Sequence, residues 1–415
     1  MSGPGAYWFG EEEMKEVIEV MKSGYLFRYG SENDPKFLHK VSTLEKKFAR
    51  YCDVNFALAT SSGTSSLLTS AIALGLKPGD EIIVPAYTFV ASYSSVIFAG
   101  MVPVLAEIDE SLTLDPNDIE HRITSHTKAI MPVHMLGNPC DMDKIMAIAK
   151  KHGLLVLEDS CQAAGASYKG KKVGSIGTIG AFSLNIFKTI NSGDGGLVVT
   201  NDKELYETAF GVHDQGHKPC RLGVEVGNRN VLGLNFRMNE ITAAVGLAQL
   251  CKLDMIVDTL RQKRSKLKSI ISKADGFKFR TLNDPVGDCA TICTVIFETK
   301  ELAAKVSKSL GSKTVDQSGW HVYANMEHIL NHLKSVGQPY TKGSYPKTDD
   351  ILSRSMNISI GVVDGGLGAG WGININSTDV EIEAAAKQFI DACTLTLDSS
   401  DAEIEGTVKQ MIVEI

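Results

Sequence analysis

Between about residue 55 and residue 200 the chain alternates short apolar runs with amphipathic stretches, and nothing else in its 415 residues constrains the fold as strongly. EIIVPAY (81–87), VPVLAEID (102–109), TKAIMPVHM (127–135), LLVLEDS (154–160), IGAFSLN (179–185) and GGLVVTN (195–201) read as buried strands. GTSSLLTSAIALGL (63–76) and DMDKIMAIAKKHG (141–153) carry apolar residues at helical spacing, and Gly153 ends the second. Strand, helix and strand in alternation imply an α/β fold with a mostly parallel central sheet and helices on both faces. In such sheets ligands sit at the carboxyl ends of strands, so chemistry is expected directly after each apolar run.

Beyond this region, the segment 233–272 opens on a Gly-rich entry and becomes a long amphipathic helix, a spine leading into a second unit. ATICTVIFET (290–299), a helix through 300–310, MNISIGV (356–362) and a helix from Thr378 predict a smaller α+β unit. Thr378 and Glu381 have capping-box spacing for that last helix. The expected division is a large ligand-binding domain over 1–250 and a small C-terminal domain over 251–415. The segment 311–350, rich in aromatics, His, Gly and Pro, reads as a long irregular loop, a kind usually kept for function.

With 43% hydrophobic and 22% charged residues, the chain can bury a sizeable core and is not disordered. A net charge of -7 with no basic block argues against nucleic acid or a membrane surface as partner. No apolar run is long enough to span a bilayer, and MSGPGAYWFGEEEMKEV lacks the layout of a secretory signal. The eight cysteines are scattered and form no CxxC pair, so free thiols, no metal framework and a cytoplasmic location are expected.

Three elements carry chemistry. Ser61-Ser62-Gly63-Thr64 opens a helix after the strand-like NFALAT, where free N–H groups and small residues suit a phosphate; Ser or Thr as a plain helix cap is the alternative. Asp159, in Glu158-Asp159-Ser160-Cys161-Gln162, ends a buried strand and needs a cation or donors, for which a protonated pyridine nitrogen or an internal salt bridge would serve. Lys188 stands alone in the apolar, Gly-flanked stretch Phe182-Ser183-Leu184-Asn185-Ile186-Phe187-Lys188. A desolvated lysine attacks carbonyls, and Ser183 lies five residues upstream, in reach of a phosphate on the same ligand. Phosphate cradle, strand-end Asp and lone Lys, in that order, match the working parts of a pyridoxal 5'-phosphate site.

SSGTSSL, GDEIIVPAYTFVAS, AIMPVHMLGNPCDMD, LLVLEDSCQAAGA, FSLNIFKTINSGDGG and GLNFRMNEITAAVGLAQL, in that order, resemble the DegT/DnrJ/EryC1/StrS family of sugar aminotransferases. The resemblance covers most of the chain and implies a fold type I pyridoxal-phosphate transferase. It implies that Lys188 forms the Schiff base with the cofactor and shuttles protons, and that Asp159 keeps the pyridine nitrogen protonated. Gln162 then lies beside the ring hydroxyl, Phe89 near the ring face, and Ser62, Gly63, Thr64 and Ser183 about the phosphate. Asn235 matches a residue reaching the phosphate of a neighbouring subunit, which implies a homodimer with shared active sites.

Two departures mark a divergent branch: Asn185-Ile186 where many relatives have His-Pro, and Asp194 where Glu is commoner. The sugar 3-dehydratases of the superfamily carry His in place of the lysine, so Lys188 argues for transamination. GYLFRYG, KTINSGDGG and HDQGH are similar to the branch that makes the 8-amino form of the octulosonic acid Kdo.

Further substrate candidates are Arg28, whose guanidinium could clamp a carboxylate, and His217, near His213 and Lys218. Trp320, His321, Tyr323 and Asn325 offer an aromatic face and donors for a polyhydroxylated ring, or packing between domains. His134 and Cys161 read as core residues. The expected activity moves an amino group from L-glutamate or L-glutamine to a keto or aldehyde sugar by ping-pong turnover, with pyridoxamine 5'-phosphate between the halves. Dehydration or ring aromatisation on the same fold, and a non-catalytic binding role, are the alternatives.

Overall fold

The structure is a computed structural model and describes residues 2–219, 229 and 231–398. Seven strands form one sheet in the spatial order Phe56–Thr60, Gly196–Thr200, Ile179–Ser183, Leu155–Asp159, Thr127–Ile130, Glu81–Pro85 and Val102–Ala106. All six apolar runs between 81 and 201 supply a strand of it. The five strands from Ile179–Ser183 to Val102–Ala106 are parallel, and Gly196–Thr200 runs against both of its neighbours.

Why these runs lack polar alternation is visible in where successive side chains go. Ile83, Ile130 and Val156 join one apolar cluster, whereas Ile82, Val84, Ala129 and Leu157 join another. Neighbouring strand residues point to opposite faces, so both faces of the sheet are covered. Pairing of Leu157 with Ile179 and of Asp159 with Ala181 sets two carboxyl ends side by side. That register brings Asp159 and Ser183 to one edge.

A second sheet of three antiparallel strands comprises Phe277–Phe279, Ile292–Phe297 and Ser355–Ser359. The helix Glu240–Ile271, started by Asn239 Oδ1 accepting from Thr242 N at 2.9 Å, joins the two sheets. Its Leu253, Ile256, Leu260 and Leu267 are fully buried in the cluster that holds Phe182 of the large sheet and Phe389 of the last helix. Thr378 and Glu381 make the expected reciprocal cap, with N–H bonds of 2.6 and 3.3 Å.

The segment 311–350 departs from expectation. It contains the helices Glu327–Ser335 and Pro346–Ser353 besides two single 3-10 turns, so it is not an irregular loop. Both helices are under three turns long and owe their formation to packing of Ile329, Leu333, Ile351 and Leu352 rather than to propensity. Among the described residues the cysteines are free thiols; Cys220 lies outside them. No described helix is long and apolar enough to cross a membrane.

Candidate active site

Asp159 ends its strand with 4% of its surface exposed. Its Oδ2 accepts from Ser92 Oγ at 2.6 Å and its Oδ1 from the Cys161 N–H at 3.1 Å. Ser92, on the helix Val90–Phe98, is bonded in turn to Thr88 Oγ1 at 2.7 Å. Sequence reasoning missed Ser92; the signal was its place in YTFVAS, opening a helix beside the expected ligand edge. Glu158, one residue earlier, faces the other way. Its carboxylate meets His134 Nε2 at 3.0 Å and the N–H groups of Gly174 and Ile176 at 2.8 and 2.7 Å. Because Cys140 N–H donates to His134 Nδ1, the proton of that imidazole sits on Nε2 and is given to Glu158. His134 is the satisfied core residue expected, and Glu158 does structural duty.

Lys188 sits on the turn that follows Ile179–Ser183, half-buried, with Nζ 5.9 Å from the centre of the Phe89 ring. Burial pushes its amine below the ordinary lysine value, opposed in part by the nearby Cys161, Asp159 and Asp364. A lowered value makes the nucleophilic amine easier to reach from the ammonium. The turn is held from beneath by the N-terminal segment. Gly3 N–H donates to Ile186 O at 2.8 Å, and a Cβ on Gly3 would lie 2.4 Å from Lys188 O. A few residues on, Gly5 lies against the fully buried Gln249, whose Nε2 donates to Gly5 O at 3.1 Å. This strap, SGPG, was not legible as part of the site.

Ser62 caps the helix Gly63–Ala73 by accepting from Ser65 N at 3.0 Å, so the capping alternative holds as well. Ser62 also takes Ser66 N–H on its carbonyl, and the N–H groups of Gly63 and Thr64 have no partner among the described residues. Gly63 abuts Ser183: a Cβ there would lie 2.5 Å from Ser183 Cβ and 2.8 Å from its Oγ. Two free N–H groups, a serine hydroxyl and the positive end of a helix dipole thus meet where only glycine fits. That cradle suits a phosphate, and with Asp159 and the deprotonation-prone Lys188 the residues fit pyridoxal 5'-phosphate.

Gln162 and His321 line the same cleft as Lys188. Gln162 Oε1 accepts from Leu136 N at 3.1 Å, and Leu136 is held at φ 57°, a strained left-handed conformation for a branched residue. Phe89 is 38% exposed and stands 5.3 Å from the His321 ring. The 320–322 stretch is stitched to 87–90 through Thr88 N–H to His321 O and Val90 N–H to Trp320 O, both 2.9 Å. Trp320 is exposed, while Tyr323 is 1% exposed and donates to Asp349 Oδ2 at 3.1 Å, serving the packing beneath the stretch. Asn325 likewise bonds inward, to Asp316 O and Ser318 O. Cys161 is half-buried rather than enclosed.

Arg28 lies in the interior of the chain. It is 6% exposed and gives its guanidinium to Glu45 Oε1 at 2.8 Å, Ala59 O at 3.2 Å and His213 Nε2 at 2.8 Å. His213 Nδ1 is 2.6 Å from Phe210 O, so both ring nitrogens are engaged. His217 is largely buried, its N–H on Asp214 O. Asn235 is exposed, its backbone bridged to Asp214.

Removing one member of a buried pair strands its partner, so Arg28→Met is expected to cost on the order of 3–5 kcal/mol of stability. A denaturation midpoint unmoved by that change, with substrate affinity lost, would restore the clamp reading.

Burial pushes both His213 and His321 down to about 3, and neighbouring cations (Arg28 for the first, Lys188 for the second) act in the same direction. Below pH 6.5 the unfolded chain takes up protons that the fold refuses, so stability is whole above that value and falls as pH drops. Between pH 6.5 and 5 the cofactor-free protein is expected to lose on the order of 3 kcal/mol. Urea titrations at the two values check this, and equal midpoints would contradict it.

Against known proteins, residues 9–363 match the sequence profile of the DegT/DnrJ/EryC1/StrS aminotransferase family. GDP-perosamine synthase of Caulobacter vibrioides is 42% identical over 273 residues, 63% of this chain and 69% of that protein. The spore coat polysaccharide biosynthesis protein SpsC of Bacillus subtilis is 38% identical over 85% of this chain and 90% of its own length. Among solved structures, 3-amino-5-hydroxybenzoic acid synthase aligns with a TM-score of 0.78 and 26% identity over 93% of this chain and 97% of that one. DesV of S. venezuelae aligns at 0.77 and 27%, over 94% and 95%. With the profile matched over nearly its whole length on a fold type I architecture, the chain belongs to the DegT/DnrJ/EryC1/StrS aminotransferase family.

Proposed function

We propose that this transaminase carries an amino group from L-glutamate, or L-glutamine, to a keto or aldehyde sugar, using pyridoxal 5'-phosphate. The observation that carries the reading is the meeting of Lys188, Asp159 and the Gly63–Ser183 cradle at one sheet edge. When bound, the cofactor supplies an aldehyde that condenses with amines and a ring that draws electrons from the adjacent carbon.

The chain's own residues do the rest. The Gly63 and Thr64 N–H groups and Ser183 Oγ bind the phosphate. Asp159, oriented by Ser92 and the Cys161 N–H, holds a proton on the ring nitrogen. Phe89, its ring centre 5.9 Å from Lys188 Nζ, and Gln162, which lines the same cleft, would contact the ring. Lys188 Nζ, displaced by the incoming amine, removes the proton from the donor's α-carbon as general base and later delivers one to the sugar carbon.

Self-association with shared sites belongs to the same proposal. Asn235 is exposed, and Leu232 and Leu234 beside it in the chain are 96% and 54% exposed, apolar surface that a second copy would cover. Relatives named for aminated nucleotide sugars support the acceptor class, among them a UDP-N-acetyl-3-dehydro-alpha-D-glucosamine 3-aminotransferase, 40% identical over 53% of this chain.

Incubation with L-glutamate and GDP-4-keto-6-deoxy-D-mannose or UDP-N-acetyl-3-dehydro-D-glucosamine tests the reading. Expected are 2-oxoglutarate, an aminated sugar and the parallel-line kinetics of a ping-pong enzyme. Sugar product without consumption of any amino donor would overturn it.

A further inference from the structure

The Gly-rich segment 361–372 follows the last strand of the three-stranded sheet and carries one carboxylate, Asp364. Asp364 is half-buried and lines the cleft that holds Lys188, Gln162 and His321. Its placement is rigid. Backbone bonds of 3.1 and 2.9 Å tie it both ways to Ala369, and Val363 N–H donates to Ser2 O at 3.0 Å. The same N-terminal strap holds the Lys188 turn through Gly3, so carboxylate and lysine are fixed against one support.

Oδ1 of Asp364 accepts from Gly366 N at 2.8 Å, while Oδ2 has no hydrogen-bond partner among the described residues. Thr189, 2% exposed on the same cleft, likewise has a hydroxyl without a partner. An anionic oxygen in a part-desolvated cleft is costly until donors reach it. Lys188 is the cation facing it, and in the loaded enzyme that nitrogen is committed to the cofactor. Water meets Oδ2 in the open cleft, and a substrate that displaces that water must bring donors in its place. The carboxylates of glutamate repel Asp364, and the amino group of glutamate is consumed in bonding. Sugar hydroxyls remain, and a carboxylate accepts O–H groups in short, charge-assisted bonds.

We infer that Asp364 is a specificity-determining residue that takes the hydroxyls flanking the reacting carbonyl of the acceptor, and so selects a hydroxylated, uncharged sugar carbon over a keto acid. This rests on the transaminase reading above.

Asp364→Asn keeps an oxygen for Gly366 N–H and removes the charge, and the two half-reactions separate its effects. With GDP-4-keto-6-deoxy-D-mannose and UDP-N-acetyl-3-dehydro-D-glucosamine as probes, the acceptor concentration for half-maximal rate should rise about 10- to 100-fold, the range of a charge-assisted hydrogen bond. The maximal rate and the L-glutamate half should stay within about three-fold. Calorimetric binding of the probe to the pyridoxamine form should weaken by the same factor. Equal slowing of both halves would overturn the inference and assign Asp364 to Lys188 instead. An unchanged acceptor half would also overturn it, as would a wild-type protein that responds to glutamate but binds neither probe. A wild-type protein blind to every amino donor is a different failure, that of the transaminase reading itself.

Discussion

Lys188→Ala is expected to lower turnover by about 10⁴-fold or more while leaving the fold intact. The magnitude follows from two duties on one atom: Nζ is both the amine that holds the cofactor and the base that moves the proton. The fold should survive because Nζ makes no hydrogen bond or ion pair among the described residues, so nothing buried is stranded when it goes. Phosphate binding should survive too, since the Gly63–Ser183 cradle does not depend on the side chain. Methylamine, small enough to enter the cleft, should restore a fraction of the activity by supplying the missing base. Steady-state rates beside circular dichroism and cofactor content check the whole expectation. A variant within ten-fold of the parent would contradict it.

Gly63→Ala is expected to lower cofactor affinity by ten-fold or more, without removing any group that bonds the phosphate. The added Cβ would sit 2.5 Å from Ser183 Cβ, far inside van der Waals contact. Ser183 is the last residue of a fully buried strand and cannot withdraw, so the start of the helix must move. Overpacking of this kind costs about 1–3 kcal/mol, and a displaced cradle passes much of that on to binding, at ten-fold per 1.4 kcal/mol. Pairing the change with Ser183→Gly removes the clashing Cβ and should recover thermal stability in the cofactor-free protein. Equilibrium dialysis and melting curves read the two effects. Unaltered affinity in Gly63→Ala would show that the phosphate binds elsewhere.

The parts of the site that were legible in the sequence are those whose cause is local. Lys188 stands out because a lysine in an apolar, Gly-flanked stretch is rare, and Asp159 because a carboxylate at a strand's carboxyl end needs a partner. The burial of Arg28 has no local cause: Glu45, Ala59 and His213, which enclose it, come from three separate elements. Distance in sequence also hid Ser92 from Asp159, Gly3 from Lys188 and Asp364 from the cleft. The helices within 311–350 were missed because each is too short to show a periodic pattern, and Thr348 of the second is bonded to Glu107, 241 positions away. Strands, being short apolar runs with a fixed partner order, lost little in the reading.

The most direct test of the central claim, that Lys188 and its neighbours hold a transaminating cofactor, is the visible spectrum of the protein with pyridoxal 5'-phosphate before and after L-glutamate. A yellow protein is expected that bleaches on adding glutamate, with the shorter-wavelength band of the pyridoxamine form rising in its place. A protein that never turns yellow would contradict it.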